Sequence, residues 1–378
     1  MIFTSKKFGF LIAGAISFMM LSCEVSSGGS GISDEPETPV DINYQFTTTV
    51  TYLEAGTDGT CGTKATYCYF GDWPQTIKED GVTVSKNQTI TMGGATYYAG
   101  SDGNWYAKCT ENAYSADYTY SNGTKVNQIG SKKTKYFKVE PIKWRVLNPG
   151  DKKGNKLLLA EKVIISDMPY YDYGTVNRSI NGTTVYSNNY MHSKVRAYLN
   201  GLSYEIKESD DAEQVTNSDY LDKGFFQTAF TESAQKMIAD TKVDNSAVST
   251  NPAENPKALN EGKNQYVCEN TLDKVFLLSN KEVTTTNYGF AKSDVYIGDK
   301  NGTKESTRIR KSTDFALANF VECNTKSDLF GSPWFKRSPY HWSRVCALAV
   351  TGIGSSTYTW SVSQNFYGIV PALSISAK

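Results

Sequence analysis

Residues Tyr136 to Leu147 read Tyr-Phe-Lys-Val-Glu-Pro-Ile-Lys-Trp-Arg-Val-Leu. Aromatic and β-branched residues fit a pleated, half-buried surface, so this run predicts a strand. Pro141 has no N–H to give to a ladder and marks an edge or a bend. Asp151-Lys152-Lys153-Gly154-Asn155 follows as a turn, and Leu157 to Ile165 supplies the returning strand. Similar signals recur on both sides of this hairpin. Before it come Tyr44–Tyr52, Ala65–Phe70, Thr83-Val84, Thr89–Met92, and the pair Tyr97-Tyr98 and Trp105–Lys108 around a Gly100–Asn104 turn. After it come Val275–Leu278, Ala347–Val350, Thr357–Val362 and Gly368–Ile375. Three segments have helical spacing: Lys194–Leu199, capped by Ser193 and stopped by Gly201; Phe225–Thr241; and Ser312–Phe320, capped by Ser312 or Thr313. The expected class is α+β, antiparallel strands with about three helices.

Composition agrees with a β-rich body. The chain has 25 Tyr, 17 Phe and 6 Trp, and Gly, Thr and Ser are plentiful. Basic and acidic residues balance at 39 each among 378 residues, and no basic stripe occurs, so nucleic acid is not an expected partner.

Lys6 and Lys7 precede a 14-residue apolar run, Phe8 to Leu21, which ends at Ser22-Cys23. This is the layout of a signal peptide, and the run is shorter than the roughly 20 residues of a membrane-spanning helix. Leu21-Ser22-Cys23 resembles a bacterial lipobox. That resemblance implies cleavage before Cys23, lipid attachment there, and a mature chain held on membrane lipid outside the cytoplasm. Glu24 follows the lipid site rather than the Asp of an inner-membrane retention signal, which favours the outer membrane or cell surface. The expected divisions are 1–22 as leader, 23–43 as lipidated Cys and flexible tether, 44–135 as a β-rich region and 136–378 as an α+β domain. The tether rests on the Ser/Gly and then Pro/Glu composition of residues 24–41.

Six cysteines remain besides Cys23: Cys61, Cys68, Cys109, Cys268, Cys323 and Cys346. An even number in an exported chain permits disulfides, with Cys61–Cys68 and Cys323–Cys346 as guesses from position. The spacings lack a C-x2-C pair and only His192 and His341 exist, so no metal site is expected. Ser233-Ala234-Gln235-Lys236 matches the pattern of acyl-transfer serine enzymes, but its partner motifs are missing. Asp299-Lys300-Asn301-Gly302 begins like a calcium loop yet lacks the later ligands and reads as a turn. Asp210-Asp211 reads as a solvated polar insert. No cofactor is expected.

The richest segment is Ser332 to Leu373, where two prolines bracket an aromatic and arginine cluster. Tyr, Trp and Arg dominate binding hot spots. Trp334 and Arg337 are expected to be structural, Arg337 as a buried ion pair. Tyr340, His341, Trp342 and Arg344 are expected to form a loop surface that binds a ligand, with Tyr358, Trp360 and Tyr367 beside it.

Five ordered motifs carry a resemblance. They are Tyr69-Phe70-Gly71-Asp72-Trp73-Pro74-Gln75, Ile142-Lys143-Trp144-Arg145-Val146-Leu147, Val195-Arg196-Ala197-Tyr198-Leu199-Asn200, Phe335-Lys336-Arg337-Ser338-Pro339 and Gly368-Ile369-Val370-Pro371-Ala372-Leu373. From about residue 65 to the end, the chain resembles a bacterial domain family of unknown function whose members are often exported lipoproteins. Phe335-Lys336 and Ile369-Val370 depart from the usual Trp-Leu and Val-Arg of that pattern. The layout also resembles the C-type-lectin-like fold shared with formylglycine-generating enzymes. Glu140-Pro141-Ile142 lacks the Asn of the calcium–sugar motif, and no oxidase cysteine pair is present, so neither chemistry is implied. The leading expectation is a non-catalytic lipoprotein that binds a protein or glycan. The alternatives are an envelope enzyme using Cys346 or His341 in redox or hydrolytic chemistry, and a structural envelope protein.

Overall fold

The computed structural model describes residues 38–377, apart from 60–63, 128–131, 149, 208–215, 254–262, 292–306, 324–330 and 357. The leader, Cys23, most of the tether, Cys61, Asp210-Asp211 and Asp299–Gly302 lie outside the described residues.

The strand predicted at 136–147 is the organising element. It runs from Thr134 to Asn148 and is here called β6, preceded by β1 (Thr51–Tyr52), β2 (Tyr67–Ile77), β3 (Val84–Met92), β4 (Ala95–Gly100) and β5 (Trp105–Thr110). It is followed by β7 (Lys156–Ala160), β8 (Val275–Phe276), β9 (Trp334–Pro339), β10 (Cys346–Val350), β11 (Tyr358–Ser361) and β12 (Ala372–Ile375). β2 pairs along most of β6, from Tyr67↔Arg145 to Ile77↔Phe137. The other ladders of β6 divide: its first half pairs with β5, at Thr134 to Lys138, and its last half with β7, at Trp144 to Asn148. Pro141 falls between those two ladders, where a missing N–H costs least.

Beyond β5 the sheet continues to β4 and β3; beyond β7 it continues to β12 and β8. The chain's last strand therefore lies inside a nine-stranded antiparallel sheet. The β6–β7 turn closes as its residue types require. Asp151 Oδ1 accepts from the Lys153 and Asn155 amides at 2.7 and 2.9 Å, and Gly154 takes φ +79°. A second sheet holds β9, β10 and β11 in that order. The fold is thus mostly antiparallel sheet, with helix confined to short pieces.

Those pieces are α1 (Lys194–Asn200), α2 (Phe225–Ala229), α3 (Glu232–Gln235) and α4 (Asp314–Ala318). Ser193 Oγ caps α1 by accepting from the Arg196 amide, and Gly201 ends it in the left-handed region. Thr313, one of the two expected caps, caps α4. The single helix expected over Phe225–Thr241 is instead two. Phe230 is extended, and Thr231 caps a new helix through the Ala234 amide. Breaking the helix there sets Phe230 against Phe70 and Trp144, at 5.2 and 6.4 Å between ring centroids.

Tyr44–Tyr52 carries the pattern of a strand, but only Thr51–Tyr52 enters a ladder. The buried Asp72 carboxylate collects donors from this segment instead: Tyr44 Oη at 2.5 Å, and the Thr47 amide and hydroxyl at 2.8 Å each. Val40, Ile42, Tyr44 and Phe46 then cover a small core of Tyr97, Ala99, Trp105, Ala107 and Val139. Packing begins at Val40, within the stretch expected to be tether. Residues Pro39–Lys378 form one compact unit, and strands from both sides of residue 135 share its main sheet.

The expected Cys323–Cys346 disulfide is absent. Both are thiols, as are Cys68, Cys109 and Cys268. Cys68 is sealed in the core, where burial pushes its thiol up to about 12. The Cys109 thiol sits 3.2 Å from Asn319 Oδ1. No described helix is long and apolar enough to cross a membrane.

Candidate functional site

The segment 340–345 is the connection between β9 and β10. The Tyr340 amide donates to the Cys346 carbonyl at 3.0 Å, which closes the loop. Asn188, fully buried, holds it from beneath. Its Nδ2 donates to the Ser343 and Cys346 carbonyls at 2.9 and 3.0 Å, and its backbone amide donates to the Arg344 carbonyl at 3.3 Å. Asn264 Nδ2 adds a bond to the Pro339 carbonyl at 3.0 Å. The loop therefore has few backbone groups free to rearrange.

Rings stack outward along this tip. Tyr340 and His341 meet edge to face at 5.0 Å, and His341 and Trp342 lie 4.7 Å apart. Trp342 is 73% exposed, whereas His341 is buried. The sequence reads His341 as a surface or satisfied loop residue. It is neither, because its Nδ1 is buried without a hydrogen-bond partner among the described residues. Burial lowers its pKa, so the neutral ring is favoured. Arg344 is exposed, and Cys346 is a half-buried thiol at the base.

Trp360 and Tyr367 belong to another group. The register places Trp360 opposite Ala347 and Tyr358 opposite Ala349. Trp360 stacks on the buried Tyr367 at 5.7 Å, and Tyr367 packs on Phe335 at 5.2 Å. These rings extend the core, while Tyr340 and Trp342 each make a ring contact with His341. Of the residues read as one surface, Trp360 and Tyr367 therefore pack into the core, apart from the tip of Tyr340, His341, Trp342 and Arg344. Sequence reasoning misses Asn188, because an Asn in a polar run before α1 carries no sign that it reaches a loop 155 residues on.

Trp334 and Arg337 are structural, as expected. Trp334 is fully buried with its indole N–H on the Arg308 carbonyl at 3.2 Å. Arg337 pairs with Glu282 at 2.5 Å and also donates to the Leu277 and Asp244 carbonyls. Lys336, buried beside it, donates to Asn280 Oδ1 at 2.6 Å and to the Ser356 carbonyl.

A separate cleft of about 810 Å³ lies elsewhere, and none of the seven residues lines it. Trp73, Tyr98, Tyr198, Tyr220 and Phe315 contribute rings to it. Trp73 and Tyr198 occur in the motifs noted above, and that shared membership is the one sequence signal that links them. Among the described residues no group of three or more His, Cys, Asp or Glu converges as a metal site needs.

A family model described as Domain of unknown function (DUF6273) matches residues 153–377, more than half of the 378-residue chain. The chain belongs to the DUF6273 family. No curated protein and no solved structure matches it. Three of the five motifs fall inside the DUF6273 region, as does the whole hairpin tip; those at Tyr69–Gln75 and Ile142–Leu147 precede it. The DUF6273 strands β7, β8 and β12 nevertheless join the same sheet as β2 and β6.

Proposed function

We propose that this DUF6273 protein is a lipid-anchored bacterial envelope protein that binds a protein or glycan, without catalysis, through the 340–344 tip. The observation that carries this reading is the exposed indole of Trp342 on a loop pinned by Asn188. An aromatic held in place before binding loses little entropy on contact, which is how hot-spot residues contribute. Arg344, also exposed, adds a fixed charge and five donors beside it. The anchor rests on Lys6-Lys7, the apolar run and Ser22-Cys23, and Glu24 favours the outer membrane or cell surface. A finer likeness to the C-type-lectin-like fold belongs to the same proposal; the supporting feature is the order of the sequence motifs.

Two experiments test it. Metabolic labelling with a radiolabelled fatty acid should mark the wild-type chain but not Cys23→Ala; labelling of both would remove the anchor. Protease shaving of intact cells, with a periplasmic control, then separates surface from internal placement. Partners captured from envelope extract should bind Trp342→Ala more weakly by about 2 kcal/mol or more. Equal affinity of wild type and Trp342→Ala for a verified partner would remove the tip as the site.

A further inference from the structure

We propose that the cleft between β4, α4 and the Asp219–Lys223 segment is a second binding site, built for a short neutral oligosaccharide. It is separate from the hairpin tip, since it shares no lining residue with Tyr340–Arg344. Its volume, about 810 Å³, is that of a small-molecule site rather than a packing defect.

The floor is apolar and rigid. The buried Trp73 indole N–H is already satisfied by the Ile164 carbonyl at 2.8 Å, so its ring offers only a face and edge. Phe225 and Phe315 pack against that ring at 5.0 and 6.5 Å. On the wall, Tyr198 and Tyr220 meet edge to face at 5.2 Å, and Tyr204 stacks behind Tyr220 at 5.8 Å with an interplanar angle of 2°. Half-buried tyrosines braced in this way present both a ring face and a hydroxyl. Pyranose rings need both kinds of contact, because their C–H faces are apolar and their edges carry hydroxyls.

The rim is also built. The Gly93-Gly94 turn between β3 and β4 sits directly on the start of α2. A Cβ on Gly94 would lie 2.5 Å from the Lys223 carbonyl, and the Gly94 amide donates to Thr228 Oγ1 at 2.9 Å. Opposite, Asp167 takes φ +52°, uncommon outside glycine, and its carboxylate accepts from Asn365 Nδ2 at 2.5 Å.

Charge selects against an ionic ligand. Two lysines, Lys108 and Lys223, face two acids, Asp167 and Asp219, so the lining carries no net formal charge. The remaining polar groups are hydroxyls and an amide, among them Thr96, Ser166 and Asn319. Burial raises the pKa of the Tyr97, Tyr198 and Tyr220 hydroxyls, which stay protonated and able to donate.

The test titrates the mature chain calorimetrically with neutral oligosaccharide fragments of β-glucan, xylan, mannan and chitin. At least one should bind wild type and Trp342→Ala equally. Tyr220→Ala, and Thr96→Trp, which fills the cleft from an exposed strand position, should each weaken it about tenfold or more, a shift of about 1.4 kcal/mol. Thermal melts check folding; if Tyr220→Ala is unfolded, the affinity of Thr96→Trp decides the matter. The proposal is overturned if no fragment binds at concentrations up to roughly 10 mM. It is equally overturned if binding survives Thr96→Trp, or if Trp342→Ala rather than Thr96→Trp abolishes it, which would move the sugar to the tip.

Discussion

At the 340–346 tip, one exposed indole rides on a short connection whose shape is fixed by backbone bonds to Asn188. In the cleft, rings from β2, β4, α1, α4 and the segment after Asp219 converge, and most are half-buried. The tip can lose its ring and keep its fold, because most of the Trp342 side chain faces solvent. The cleft cannot lose its floor, because Trp73 is both a wall of the site and a member of the main core. Recognition at the tip is therefore separable from stability, while recognition in the cleft is tied to it.

That contrast is best attacked at the cleft floor. Trp73→Ala should cost about 3–5 kcal/mol, the range for truncating a buried aromatic, and leaves the Ile164 carbonyl without its indole partner. Chemical denaturation reads this directly; a loss below about 1 kcal/mol would mean that the floor is not part of the core.

Asn188→Ala comes next. It removes the side-chain donor of the Ser343 carbonyl and leaves the Cys346 carbonyl with the Tyr340 amide alone, and a buried group left unsatisfied costs about 1–3 kcal/mol. The melting temperature should fall and amide exchange in 340–346 should quicken; unchanged exchange there would show that the loop is pinned by something else.

A smaller effect concerns pH. His341 is buried and its pKa lies below the ordinary 6.5, and His192 is shifted the same way by burial and by Arg178 and Arg196. As pH falls through 6.5, the unfolded chain takes up these protons first. Folding stability should therefore drop on acidification through that range and level off below the folded pKa values, while above 6.5 neither group contributes. His341→Gln should flatten this part of the pH profile; an unaltered slope would assign it to His192 or to other groups.

The smallest change in stability belongs to Trp342→Ala, within about 0.5 kcal/mol, as for an exposed side chain. A larger loss would erase the contrast between tip and cleft.

Much of the local structure is legible in the chain. The 136–147 strand, the Asp151–Asn155 turn, the Ser193 cap and the Gly201 stop all depend on neighbours within a few residues, and each forms as read. The antiparallel class follows from them. The tip is legible too, since Tyr340, His341 and Trp342 are contiguous. Where the reading fails, distant partners are the cause. Asp72 draws the 44–47 segment out of a ladder, and Phe70 and Trp144 fix Phe230 where a continuous helix is expected. Tyr367 looks like a surface aromatic until Phe335 covers it.

Sequence alone determined the strands, their turns and the order of the motifs, because backbone sterics and side-chain period act over a few residues. The proposed leader and lipid site rest on sequence alone. Only the tertiary structure decided which side chains share a surface. The cleft draws on positions from Trp73 to Asn319, and the tip rests on Asn188. Burial and the cancellation of charge across a cleft are properties of that assembly, and a linear spacing does not encode them.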